Sequence, residues 1–398
     1  MLDFDIAIHT LIGLIVTLFV LFTFLLGYTY WTRKKMQYWD QYEQKFRDYF
    51  FSLLLDYAES STPQLSADKI IKKITQRSKD YSFFIQLLKE LDNLLDGIER
   101  ERLNNLIEHP LFVEFYKQKL FEFTTNSKIY ACLYFQHIGS QSNHVQAKLV
   151  SLSQSYNLKL AFAATKALLS AEGWPNRRKA LLRFFRRNDV SDLMISELLH
   201  SFDTGKIEDR PQLRKAFEEL LQTDLDPHTK SIIVRYMGFQ QFHGCSEFLH
   251  QYLKRINYST KNVLLVRALI TALGELHHTD SASIIRDYTK QGNDVSIRLA
   301  GVKTLSTFGT SENLSFLLDT LLDAPFSIRK TIINEFIMGN ELKLRLFTDF
   351  IHKTLQTVKN MRAQKQVNGQ INAYLDSILE ITSGVKIALN NRQQNAHA

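Results

Sequence analysis

Cysteine, proline and glycine are all scarce in this chain, which has two, six and fifteen of them among 398 residues. Cys132 and Cys245 lie far apart in the sequence, so they form neither a disulfide framework nor a metal-binding pair. We expect both thiols to be small core side chains of a protein in a reducing compartment. The shortage of proline and glycine disfavours a turn-rich β fold and predicts an all-α protein.

Catalytic motifs are also missing. The chain has no phosphate-binding glycine loop, no Gly-x-Ser-x-Gly turn and no His-Glu-x-x-His pair. The adjacent residues His277 and His278 have no further ligand at a metal-binding spacing. The sequence therefore predicts no enzyme, no metal site and no cofactor. An enzyme whose pocket these motifs do not reveal is kept as an alternative.

Charged side chains are absent from residues 6–31, a run of 26. A helix that crosses a bilayer needs roughly 20 mostly apolar residues, so this run predicts a transmembrane helix. A cleaved signal peptide is the alternative, but two aspartates precede the run and no small-residue cleavage site follows it. Arg33, Lys34 and Lys35 flank only the C-terminal side, which predicts an external N-terminus and a cytoplasmic C-terminal domain.

The chain after this run has helical periodicity. Residues 33–60 carry large apolar side chains at three- and four-residue steps, which predicts an amphipathic helix. Its apolar face would pack on the following domain, on membrane helices of a partner or on a second copy, and the segment 60–66 is a candidate hinge. The predicted segments are an external N-terminus (1–5), the transmembrane helix (6–31), a juxtamembrane helix (32–60), a helical lead-in (61–125), repeats (126–340), capping helices (341–389) and a flexible tail (390–398).

A sequence repeat begins near residue 126, and its period of roughly 30 residues is typical of helical-repeat proteins. The clearest copies have their reference positions, at nearly constant spacing, at Arg235, Val266, Arg298 and Arg329. Fainter copies have their reference positions near Lys128 and Ala161, and no register is recognisable between 174 and 230. Two helical stretches per period predict an α-solenoid, because one helix pair cannot bury its own apolar face and neighbouring pairs must stack.

The segment NDVSIRLAGVKTLSTFG (293–309) resembles the second helix of a HEAT repeat, and 324–339 and 231–244 match it in part. This resemblance implies a HEAT-like α-α superhelix that acts as an interaction scaffold. The layout, with LLKELDNLLDGIERERLNNLIE (87–108) before the first repeat, also resembles a group of single-span bacterial membrane proteins. Members of that group accompany membrane glycosyltransferases of exopolysaccharide systems. The second resemblance implies a bacterial inner-membrane location and a glycosyltransferase partner.

The net charge is +8, and six positive charges are concentrated within eleven residues of the segment 174–190. The basic cluster consists of Arg177, Arg178, Lys179, Arg183, Arg186 and Arg187. Guanidinium groups bind carboxylates and phosphates through paired hydrogen bonds, so the cluster is a candidate site for an acidic partner or the anionic surface of the bilayer. A solvated helix face is the alternative, and nucleic acid is not the expected partner.

A polar row is a second candidate surface. It lies five residues after the four reference positions and consists of Gln240, Thr271, Lys303 and Asn334. Solenoids use such rows for recognition, although solubility alone also explains polar side chains on an outer face. The combined hypothesis is a membrane-anchored cytoplasmic scaffold that holds a protein partner, such as a polysaccharide-synthesis glycosyltransferase, at the inner leaflet. The alternative is a sensor that binds an anionic ligand at the basic cluster, and the oligomeric state stays open.

Overall fold

The computed structural model describes residues 2–363 except 60–62, 76–79, 96, 140–141, 172, 204, 257–258 and 291–292. Every regular element in this part of the chain is helical. The chain divides into two compact units, Met1–Glu172 and Gly173–Ala398, called unit 1 and unit 2. The predicted hinge overlaps residues 60–62, and the predicted tail with the end of the capping helices falls within 364–398. Residues 60–62 and 364–398 lie outside the described residues, whereas 63–66 of the predicted hinge form the start of a helix, Pro63–Ile74. The predicted domain boundaries stay predictions.

Unit 1 is built from a long first helix followed by shorter helices. Their bounds are α1 (Leu2–Glu59), α2 (Pro63–Ile74), α3 (Asp80–Leu94), α4 (Gly97–Ile107), α5 (Pro110–Phe121), α6 (Thr125–Ile138), α7 (Asn143–Ser153) and α8 (Leu158–Ser170). Helices α2 and α3 pack against α1, α5 packs against α6, and α6 and α7 pack against α8. The predicted copies near 128 and 161 therefore correspond to neighbouring helices, α6 and α8.

Aromatic side chains form the centre of unit 1. Phe50 of α1 packs edge to face on Phe84 of α3, with ring centroids 5.1 Å apart. Phe84 in turn stacks on Phe112 of α5 at 5.3 Å. Trp39 and Phe46, further along the apolar face of α1, both contact Phe83. The amphipathic half of α1 therefore packs on its own domain, which was one of the three alternatives for this face.

The prediction of a transmembrane helix is wrong. Among the described residues, no helix combines the length and the apolar composition that a bilayer span requires. The predicted fold class, in which a membrane helix at 6–31 precedes the repeats, is corrected to an all-α protein in whose described residues no such span is found. The predicted single-pass location in the inner membrane, with the N-terminus outside, depended on that span and is wrong as well.

Unit 2 contains the more regular repeats. Its α-helices are α9 (Trp174–Phe185), α10 (Asp192–Phe202), α11 (Arg210–Gln222), α12 (Pro227–Phe239), α13 (Ser246–Arg255), α14 (Val263–Glu275), α15 (Ala282–Thr289), α16 (Val295–Phe308), α17 (Ser311–Asp323), α18 (Phe326–Ile337) and α19 (Glu341–Ala363). The segment 174–230, where the sequence has no recognisable register, thus contains helices as well. Short 3₁₀ turns precede α11, α13, α14 and α15.

Alternate helices of unit 2 pack on one another in chain order. Helix α10 packs on α12, α12 on α14, α14 on α16 and α16 on α18, and this row is called the ladder. Helices α13, α15 and α17 each pack against the ladder helix that follows them. The chain is therefore a helical-repeat all-α protein consistent with an α-solenoid, in which each pair buries its apolar face against the next.

Two of the repeated arginines hold consecutive helices together. Arg298, only 5% exposed, donates a hydrogen bond from Nε to the carbonyl oxygen of Thr289, the last residue of α15, at 3.1 Å. Arg329 donates from Nε to the carbonyl oxygen of Ala324, just after α17, at 2.7 Å. Carbonyl groups at a helix end have no partner within the helix, so each arginine satisfies one of them. The arginine pattern therefore has a structural role in these two copies.

Candidate functional site

Helix α9 carries most of the basic cluster, but the structure divides its charges between several partners. Arg178 forms an ion pair with Glu219 of α11. The guanidinium of Arg177 lies over the ring of Trp174, with 5.3 Å between its carbon Cζ and the ring centroid. The ion pair of Arg178 therefore links α9 to α11, and both arginine side chains are less available to a ligand.

Arg187 lies beyond the end of α9 and binds a neighbouring carboxylate. Its Nε and Nη2 donate to the two carboxylate oxygens of Asp189, both at 2.9 Å. The hydrogen bonds of this pair raise the pKa of Arg187 and lower the pKa of Asp189. The two-pronged arginine contact expected for a partner's carboxylate is thus already made within the chain.

The remaining members of the basic cluster are Lys179, Arg183 and Arg186. All three are exposed, and no ion pair to them occurs among the described residues. On the other side of α9, Leu181 and Phe184 are buried. Arg186 follows the last residue of α9, so the cluster runs from the helix into the turn after it. Half of the cluster is therefore a solvated basic patch.

The polar row is placed on four consecutive ladder helices. Thr271, Lys303 and Asn334 are exposed on α14, α16 and α18. Gln240 is half-buried at the C-terminal cap of α12, so it does not share their exposed face. The hydroxyl of Thr271 donates to the carbonyl oxygen of Arg267 at 2.9 Å, which leaves its oxygen lone pairs for an incoming donor. The structure thus brings three of the four residues onto one side of the ladder.

Large apolar side chains on the same helices were missed by the sequence analysis. Leu264, Val295 and Phe326 are 42%, 45% and 64% exposed, and each lies at the start of a ladder helix. Successive members of this set are one repeat period apart in the sequence. That spacing was the available signal, but a sequence pattern does not distinguish an apolar residue at the surface from one in the core.

Basic side chains follow these apolar ones. Arg267 of α14 and Lys330 of α18 are exposed, three and four residues after Leu264 and Phe326. The alignment had placed the buried Val266 at the reference position, one residue before Arg267. The ladder face is defined here by eight side chains on α14, α16 and α18. They are Leu264, Arg267, Thr271, Val295, Lys303, Phe326, Lys330 and Asn334.

Two of the three residues predicted to flank a membrane contact aromatic rings of α1. The ammonium group of Lys34 lies 5.3 Å from the ring centroid of Tyr30, and that of Lys35 lies 4.5 Å from the ring of Trp31. Both are contacts between residues four apart on α1. Arg33 is exposed on the same helix. These three cations therefore belong to the surface of α1.

The described residues contain no group of three or more His, Cys, Asp or Glu side chains placed to hold a metal ion. Both cysteines are buried and unpaired by disulfides. Burial raises the pKa of the Cys245 thiol to about 12 and raises that of Cys132 further, which disfavours the reactive thiolate. Both cysteines are therefore core side chains whose nucleophilic form is disfavoured.

Comparisons with known proteins do not assign this chain to a group. No protein-family model matches it, and no curated protein matches it.

Proposed function

We propose that this protein is a scaffold whose ladder face binds a segment of another protein. The observation that carries this proposal is that an exposed apolar side chain recurs in the first turn of α14, α16 and α18, and that each of these helices also carries an exposed basic side chain further along. Exposed apolar side chains in a row mark contact surfaces more often than isolated ones do. Because solenoid repeats stack in one direction, such a row suits an extended partner segment.

The chemistry of the ladder face specifies the segment. Leu264, Val295 and Phe326 would contact apolar side chains, and Arg267 with Lys303 would attract carboxylates. A segment that alternates apolar and acidic residues meets both requirements. We infer that HEAT-type stacking supplies the surface, as the resemblance of 293–309 implies.

A polysaccharide-synthesis glycosyltransferase remains a candidate partner to test. That expectation came from a resemblance whose layout included a membrane span, and the prediction of that span is wrong. The partner is therefore proposed by its chemistry, and the enzyme enters only as one protein in which an acidic, apolar segment is to be sought.

The alternative of an anion sensor at the basic cluster has weaker support. Arg178 and Arg187 already pair with Glu219 and Asp189, so the cluster offers fewer converging donors than its sequence implied. We propose the scaffold as the function because its surface extends over three repeats.

Site-specific photo-crosslinking in the native host tests the proposal. A photoreactive phenylalanine analogue is placed at Thr271 or Asn334 of the ladder face, and at Ser283 or Asp319 as matched exposed controls on α15 and α17. We expect a discrete protein adduct from the first two positions and none from the controls. Equal adducts from all four positions, or none from the ladder face, would contradict the proposal.

A further inference from the structure

Unit 1 contains an open cleft of about 900 Å³ that has no part in the proposed function. Its walls come from α1, α3, α5 and α6, with the end of α2 at one side. Pockets for small organic molecules have volumes of roughly 300–1,000 Å³ and are mostly apolar, with a few polar groups that orient the ligand. The volume of this cleft lies within that range.

Aromatic rings form most of the apolar wall. Trp39 of α1 and Phe83 of α3 lie 6.3 Å apart between ring centroids. Tyr81 and Tyr130 form an edge-to-face pair at 5.1 Å, and Phe115 lines the wall near them. Flat rings pack well against other rings in stacked or edge-to-face arrangements. The wall therefore favours a planar aromatic ligand over a branched aliphatic one.

Hydroxyl groups gather at the side of the cleft where α6 begins. Thr124 donates from its hydroxyl to the Oγ of Ser127 at 2.6 Å, and the hydroxyl of Tyr81 lies 3.5 Å from the same Oγ. The side chain of Thr124 makes no hydrogen bond that caps α6. The amide of Asn126 also lines the cleft. These groups can donate to or accept from a neutral polar group on a ligand.

The charges that line the cleft are balanced. Lys119 pairs with Glu122, with Nζ and Oε1 2.6 Å apart. Burial would raise the pKa of Glu122, but its hydrogen bonds with Lys119 and Ser127 lower it overall, so the carboxylate stays charged beside the lysine. Lys35 and Asp40 add one charge of each sign. A ligand with a net charge would therefore gain no uncompensated partner in the cleft.

We propose that the cleft of unit 1 binds a neutral, planar aromatic molecule that carries a hydrogen-bonding group. The ring lies against the aromatic wall of Trp39, Phe83 and Tyr130, and the polar group faces the hydroxyls at the start of α6. The apolar wall supplies most of the affinity, and the hydroxyl groups fix the orientation of the ring. This site is separate from the ladder face, so either proposal stands if the other fails.

Ligand-observed fluorine NMR on the full chain tests the site with defined probes. The probes are 5-fluoroindole, its anionic relative 5-fluoroindole-3-acetate and its cationic relative 5-fluorotryptamine, which share one ring and differ in charge. We expect the fluorine signal of the neutral probe to broaden on addition of protein. The two charged probes should bind about tenfold more weakly than the neutral one. No broadening of 5-fluoroindole, or equal binding of all three probes, would overturn the proposed ligand class.

Filling the cleft from two sides locates the binding. Asn126→Trp on α6 and Thr75→Trp at the end of α2 both project a large side chain from an exposed lining position, so neither disturbs the core. Asn143→Trp, at the exposed start of α7 outside the cleft, is the matched control. We expect broadening to be lost in the first two variants and retained in the third. Broadening that persists in both filled variants places the probe elsewhere and overturns the site.

Discussion

Gly238 of α12 faces Ala272 of α14 at a distance that admits no side chain between the two helices. A Cβ atom at Gly238 would lie 2.8 Å from the Cα of Ala272 and 2.9 Å from its Cβ. Real Cβ atoms do not approach other atoms so closely, so the two helices are in contact through their backbones.

Adding one methyl group at Gly238 is therefore expected to weaken unit 2. Gly238→Ala should reduce the free energy of unfolding by about 1–3 kcal/mol, because the helices must separate. Gly244→Ala is the matched control, since a Cβ there meets only Arg214 at an ordinary 3.6 Å. Denaturant unfolding followed through Trp174, in a background with Trp31→Phe and Trp39→Phe, reports on unit 2. Equal stability of the two variants would contradict the close contact.

Arg298 is expected to stabilise the fold, whereas Arg267 is expected to act at the surface. Arg298→Met removes the donor to the carbonyl oxygen of Thr289 and should reduce stability by about 1–3 kcal/mol. Arg267→Met removes an exposed cation and should change stability by less than about 0.5 kcal/mol. The same single-tryptophan unfolding assay measures both. A larger loss of stability in Arg267→Met than in Arg298→Met would contradict the structural role of Arg298.

Asp226 is expected to make the stability of unit 2 depend on pH in the acidic range. Burial would raise its pKa, but hydrogen bonds from Thr229 and the backbone N–H of His228 lower it overall. A folded-state pKa below the unfolded value near 3.9 means that this stabilisation is complete above about pH 5 and is lost as pH falls through the folded pKa. Asp226→Asn keeps the helix cap without titrating. Urea titrations at decreasing pH should show its stability approaching that of the wild type as the pH falls through the folded-state pKa of Asp226.

Asp226→Ala separates the cap from the charge. This variant lacks the acceptor for the N–H groups at the start of α12, so it should be less stable by about 1 kcal/mol even at neutral pH. A wild-type stability that falls with acid in parallel with Asp226→Asn would show that other carboxyl groups cause the loss.

The two thiols should be unreactive until the protein unfolds. Burial raises the pKa of Cys245 to about 12 and that of Cys132 further, so almost no thiolate forms near neutral pH. We expect 5,5′-dithiobis(2-nitrobenzoate) to release no colour from the native chain within minutes and to react with both cysteines in guanidinium chloride. Rapid reaction of one thiol in the native protein would show that its unit opens easily.

The sequence predicted the repeat architecture because burial of one face per helix leaves a periodic pattern. It did not separate the roles of the repeated arginines. Arg298 and Arg329 hold helix ends inside unit 2, whereas Arg235 at the same sequence position is exposed. The difference depends on which carbonyl group lies within reach, and only the packed structure determines that distance.

Two features of the surface were beyond the sequence for a related reason. The basic cluster is continuous in the sequence, but Arg178 of α9 is neutralised by Glu219, which lies on a different helix, α11. The aromatic cleft is lined by both Trp39 and Tyr130, which lie far apart in the sequence and belong to no common periodic pattern. The apolar run at the start of the chain predicted a membrane span from its composition alone, and the described part of α1 does not meet that requirement.

The central claim is that the ladder face binds a partner segment. The direct test measures the photo-crosslinked adduct from Thr271 in two triple charge-reversal variants. One carries Arg267→Glu, Lys303→Glu and Lys330→Glu on the ladder face, and the other carries Lys179→Glu, Arg183→Glu and Arg186→Glu in the basic cluster. We predict that the adduct is lost in the first variant and unchanged in the second. An adduct that survives the first variant, or disappears in the second, would contradict the account.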